Sequence, residues 1–214
     1  MSSEKRMHKS SGKTVIALLC VSFFLSVNGS QLFAQTPSKG ELMVDPPAYA
    51  KFDKDLSKAM NEFMGQDFFK ALMNKSQEAM GMAMDSMVFY FFTTDRSVSE
   101  TANYYGEKLG EEVMVETEGL VESPEDFTEM EAFVGQKLPR KFIENYQKAY
   151  EKYASLEKES ASFSTSDIDM SSGQMPDEWT SVEIAIENPS LDFRTWEPLE
   201  KTVIIYTVIK IKKK

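Results

Sequence analysis

The chain has 214 residues, with 34 acidic against 24 basic side chains and a net charge of −10, which lacks the basic balance a nucleic-acid partner requires. The only His (His8) and the only Cys (Cys20) lie among the first 34 residues. Beyond them there is no Ser/His/Asp triad, no cysteine nucleophile, no His or Cys zinc site and no disulfide.

Those first residues read as a leader: Lys5, Arg6, Lys9 and Lys13 form a basic start, an apolar run extends from Val15 to Val27, and Leu32-Phe33-Ala34 offers a cleavage point before Gln35. A spanning helix needs roughly 20 apolar residues, so the run is too short for a retained anchor. A signal peptide over 1–34 is therefore expected, with an extracytoplasmic chain, periplasmic or secreted, and no stable membrane span once it is cleaved. Cleavage leaves 20 basic against 33 acidic residues, a charge of −13. A cysteine-free mature chain exported into an oxidising compartment fits an envelope protein that holds together by its own core.

A linker is expected over 35–47, then a single domain over 48–214. Asp45 followed by Pro46-Pro47 reads as a helix start, and Phe52, Leu56, Met60, Phe63 and Met64 recur at helical spacing, so a helix is expected from Ala48 to Met64. Gly65 interrupts it and Phe68, Phe69, Leu72 and Met73 continue a second stripe. The run MVFYFFTT from Met87 to Thr94 is dense in aromatic and β-branched residues and reads as a buried strand. Ser97 and Glu100 form a capping box, Val98, Ala102, Tyr105 and Leu109 mark one helical face, and Gly110 ends that helix. Alternating Val113 and Val115 predict a second strand, which makes the strand, helix and strand a βαβ-type unit if the two strands pair in parallel.

Residues 124–158 read as an inserted helical pair: Phe127, Met130, Phe133 and Val134 form one stripe, Pro139 breaks it, and Phe142, Tyr146, Tyr150 and Tyr153 form the next. The Ser-, Asp- and Gly-rich residues 159–178 read as a flexible loop. Two strands close the chain, the first alternating around Val182, Ile184 and Ile186, the second apolar from Val203 to Ile209. The fold class expected is α+β, with a mainly antiparallel four-stranded sheet, a packed βαβ-type helix, an N-terminal helical segment and the inserted pair.

Thr93, Thr94, Asp95, Ser97, Glu100, Tyr104, Tyr105 and Leu109 give this segment a pattern that resembles one in uncharacterised bacterial exported proteins: a strand ending in T-T-D, a capped helix, and an aromatic pair before a leucine. The resemblance covers about half of the mature chain. It implies a sheet with a packed helix and brings no activity.

Three functional readings stand at this point. The first is a non-enzymatic binding or interaction module of the bacterial envelope, with an envelope protein or small ligand as partner and no cofactor. Its candidate residues are Phe193, Arg194 and Trp196, in a turn-rich connection of the kind that carries binding sites. The second is a carrier of Cu(I) through Met80, Met82, Met84 and Met87, because thioethers suit soft ions, set against packing by adaptable side chains. The third is a hydrolase working through paired carboxylates. The lysines of the terminal IKIKKK read as a guard on an edge strand.

Overall fold

The computed structural model describes residues 36–38, 40–80, 82–121, 123–124, 126–168 and 176–213, with side chains 76–82, 126 and 213 left aside. The expected leader lies outside the described residues. In chain order the elements are β1 (Lys51–Phe52), α1 (Lys54–Met64), α2 (Asp67–Met80), β2 (Met82–Thr94), α3 (Val98–Leu109) and β3 (Glu116–Gly119). They continue with α4 (Asp126–Val134), α5 (Arg140–Tyr153), β4 (Glu157–Ser166), β5 (Glu178–Asn188), β6 (Ser190–Asp192), β7 (Glu197–Leu199) and β8 (Thr202–Lys213). The fold is α+β. No helix among the described residues is long and apolar enough to cross a membrane.

Six strands, not four, form the main sheet, in the order β1-β2-β8-β5-β4-β3, and every neighbouring pair is antiparallel. β6 and β7 make a separate two-stranded ribbon between β5 and β8. The βαβ-type expectation is corrected: β2 and β3 run in the same direction but are separated by β8, β5 and β4, so α3 crosses over most of the sheet. The strand expected around Val113 and Val115 begins only at Glu116, because Val113 turns in to fill the space that Gly106 leaves on α3.

Local chemistry explains most boundaries. Asp53, not Asp45, caps α1, accepting from the Leu56 N–H at 2.9 Å, since Lys51 and Phe52 are taken by pairing with β2. Ser97 and Glu100 make the reciprocal capping box of α3, and Gly110 ends it in the left-handed conformation at φ 72°. Caps of this kind contribute about 1 kcal/mol each.

Alternation along the strands sends side chains to two different layers. On one face Tyr90, Phe92, Ile204, Tyr206, Val182, Ile184, Ile186, Ala161 and Phe163 form an apolar surface across four strands, covered by Val98, Ala102 and Tyr105 of α3. Tyr206 donates to the Val44 carbonyl at 3.0 Å, which leaves Tyr105 to donate to the Tyr206 oxygen at 2.7 Å. The stretch expected as a linker is thereby drawn onto the sheet: Leu42 is buried in this layer and Tyr90 donates to Glu41 at 2.5 Å.

The opposite face is apolar over only half its width. Met84, Met87, Phe89 and Phe91 of β2, with Val203, Ile209 and Ile211 of β8, lie under α1 and α2. On β5 the same face starts with buried Trp179 beside Ile211 and goes on with Ser181, Glu183 and Ala185; on β4 it carries Ser162, Ser164 and Ser166. The helical pair, α4 and α5, joins this layer, with Val134 and Leu138 buried and Phe142 5.3 Å from Phe63 and 6.0 Å from Phe69.

Residues 159–166 of the expected flexible loop are instead strand β4. Serine composition suggested a loop, but the alternation of Ser160, Ser162 and Ser164 with Ala161 and Phe163 is a half-buried strand, and only the latter pair is buried. Residues 169–175 of that loop lie outside the described residues. The guard assigned to the terminal lysines is also corrected. β8 is central, and Lys212 instead meets Asp85 at 3.4 Å and Glu178 at 3.2 Å from the two flanking strands.

Candidate functional site

The connection from β6 to β7 folds back over the helical layer. Its turn is fixed by Asp192, whose carbonyl accepts from Trp196 N at 2.6 Å and Thr195 N at 3.2 Å. The buried Asp192 carboxylate accepts from Arg194 three times through its side chain, at 2.7, 2.9 and 3.1 Å, and once from its backbone N–H at 2.9 Å. Burial works to raise the Asp192 pKa, but the guanidinium and backbone donors outweigh it and hold the group below the usual carboxylate range. Arg194 is correspondingly pushed up by its hydrogen bonds to Asp192.

Phe193, Arg194 and Trp196 therefore come from one rigid turn but do different things. Phe193 stacks on Phe63 at 5.8 Å and is part of the helical layer. Arg194 is spent on Asp192. Trp196 is half-buried: its ring meets Phe142 at 5.4 Å, Tyr146 at 6.3 Å and Phe193 at 5.8 Å, and the residue also lines a half-open hollow of ≈ 170 Å³ between the turn and α5. Trp196 sits at φ 61°. That region is unfavourable for a bulky side chain, and its occupation marks a position over-determined by its surroundings.

Across the hollow, Asn145, Lys148 and Lys152 follow one another at helical spacing along one side of α5. Lys152 bonds both carboxylate oxygens of Glu197 at 2.9 Å, and the Tyr153 hydroxyl donates to the same carboxylate. Helix and turn are thus clasped at one end of the hollow. Lys148 and Asn145 line the hollow together with Trp196, so its walls combine an ammonium and an amide with an aromatic ring. Sequence reasoning reached Trp196 and missed the α5 residues; their spacing of three and four is the signal that pairs them.

The methionine series is divided. Met80 ends α2 and Met82 starts β2, both with side chains outside the described set. Met84 and Met87 are each 6% exposed, and an irregularity in register between Met84 and Ser86 turns both towards the helical layer, where they pack.

A further feature of the sheet was not anticipated. Glu183, opposite Thr207 on β8 and Ser164 on β4, has its pKa raised to about 7 by burial alone. Among the described residues burial is the cause of that rise. Compared with protein-family models, curated proteins and solved structures, the chain finds no match.

Proposed function

We propose that the protein is an exported, non-enzymatic binding module of a bacterial envelope, and that its ligand occupies the hollow between α5 and the β6–β7 turn. The observation that carries this reading is Trp196, held at φ 61° with its ring lining the hollow, on a turn locked by Asp192 and Arg194. Strain in a bulky aromatic is retained where its orientation is used. A ligand suited to these walls has one apolar face for the indole and acceptor groups for Asn145 and Lys148, a description that fits a sugar or a short peptide ending in a carboxylate. Export is supported by the basic start, apolar run and Leu32-Phe33-Ala34 of the leader, and by the absence of Cys after Cys20.

Calorimetric titrations with a panel of oligosaccharides and of short peptides bearing free carboxylates test the site. The ligand that binds the parent should bind Trp196→Ala about 10-fold or more weakly, as loss of an aromatic platform does, and Lys148→Ala should weaken only acidic ligands. Equal affinity in the parent and both variants would remove the hollow from consideration.

A further inference from the structure

The two long edges of the sheet are treated differently. On the β2 side, α1 satisfies the outward backbone groups much as a strand would. The Asn61 amide donates to the Phe89 carbonyl at 2.8 Å and accepts from the Phe89 N–H at 3.0 Å. Ser57 Oγ accepts from Phe91 N–H at 2.9 Å, and Asp53 N–H donates to the Phe91 carbonyl at 2.8 Å.

The other side has no such cover among the described residues. β3 pairs with β4 only over Glu157 to Ser160, so the remainder of β4, Ala161 to Ser166, has β5 on one side and no strand on the other. The phase of its backbone follows from the next residue. Asp167 N–H donates to the Thr180 carbonyl at 3.1 Å. Antiparallel ladders alternate, so Ala161, Phe163 and Thr165 point their N–H and C=O groups at β5, while Ser162, Ser164 and Ser166 point theirs outward. All three serines are exposed. Lysine, proline and bulges, the usual means of blunting such an edge, are missing from this stretch.

We propose that this edge is a strand-addition site, and that its occupant is an extended, basic peptide segment of another protein. Charge selects the occupant. At one end of the edge exposed Glu116 stands opposite Ser160, with exposed Glu111 and Glu112 a few residues before it in the chain; at the other is exposed Asp167, one carboxylate oxygen of which accepts from Thr180 N–H at 2.7 Å, and Glu183 lies one strand inward on the serine side. Apolar contact is offered by Met114, 71% exposed, and Val115, 39% exposed, in the stretch leading into β3. A second copy of the chain suits the edge poorly: antiparallel self-pairing about Ser164 brings Asp167 of each copy to the glutamates of the other. An added strand gains main-chain hydrogen bonds from the three serines and side-chain specificity from alternate positions.

The full chain, with backbone amides resolved by NMR, is titrated with a capped heptapeptide of alternating lysine and valine and, separately, of alternating glutamate and valine. The basic peptide is expected to slow hydrogen exchange at Ser162, Ser164 and Ser166 by about tenfold or more at saturation, leaving Ala161, Phe163 and Thr165 little changed. Ser164→Pro, which removes one outward donor at a position where an edge strand accepts proline, should weaken binding about tenfold. If that variant does not fold, the double change Glu112→Lys and Glu116→Lys replaces it, and should reduce affinity for the basic peptide by a similar factor. Protection elsewhere, equal binding of the acidic peptide, or protection that grows with protein concentration alone and accompanies a dimer in sedimentation would each overturn the proposal. Trp196→Ala should leave the peptide response intact, so this edge and the hollow fail separately.

Discussion

Glu183 sits mid-strand on the half of the sheet face that α1 and α2 leave uncovered, between Ser164 and Thr207, and burial raises its pKa from 4.5 to about 7. A carboxyl whose native pKa exceeds its unfolded value takes up protons on folding, so its full contribution to stability is present below the unfolded value and lost as pH rises through the native one. The window runs from about 4.5 to about 7. Glu183→Gln should therefore match the parent in urea unfolding near pH 4 and exceed it by about 1–3 kcal/mol at pH 8, since each tenfold change in proton affinity is worth about 1.4 kcal/mol and solvent reaching the partly exposed carboxylate reduces the total. A constant difference across that range would show that the carboxylate is well solvated. In sequence Glu183 is one of the polar positions of an alternating strand, indistinguishable from Glu187, which the structure pairs with Lys158 at 2.9 Å. Periodicity says which face a residue is on; what covers that face is decided by helices far away in the chain.

At the scale of elements, Asn61 holds a helix against a strand edge with two hydrogen bonds to one residue, 28 positions away in sequence. Asn61→Ala leaves the Phe89 N–H and C=O without those partners, and should cost about 2 kcal/mol in chemical denaturation. Asn61→Asp keeps the acceptor for the N–H but places a second acceptor against the carbonyl, so it should recover none of the loss; recovery would mean the carbonyl bond contributes little. Helices were readable where their apolar stripes and caps were self-sufficient: α3 from Ser97, Glu100 and Gly110, α5 from Pro139 to Tyr153. β4 was not, because its buried side consists of Ala161 and Phe163 alone and its other side is serine, so the hydrophobic signal of a strand is reduced to two residues. β1, β6 and β7 are two or three residues long, too short to show any period. Trp196 and its turn were found from composition. The Asp192–Arg194 lock and the lysines of α5 were not, since which polar groups converge depends on how the ribbon folds back.

For the molecule as a whole, the helical layer is shared among α1, α2, α4 and α5, and an aromatic chain from Phe63 through Phe142 to Trp196 ties it to the ribbon. Replacing residues 124–156 by a short Gly/Ser linker would remove buried Val134 and Leu138 and uncover Phe69. Losses of about 2–5 kcal/mol per large buried side chain set the scale, so the shortened chain should lose on the order of 5 kcal/mol, enough to abolish a cooperative transition in a domain of ordinary stability. A sharp unfolding transition near that of the parent would instead make the pair a separable appendage.

β8 lies between β2 and β5, yet it is translated after every other strand of its sheet. Until it emerges, β2 with β1 and β5 with β4 and β3 are two fragments with no strand to join them, and both apolar faces lack their central column. Closure of the sheet through the β2–β8 and β5–β8 pairings is thus deferred to late in synthesis by topology alone, since no earlier segment supplies the missing strand. Were the chain exported as proposed, a channel that threads unfolded polypeptide would meet a sheet that cannot close across its middle until β8 has emerged.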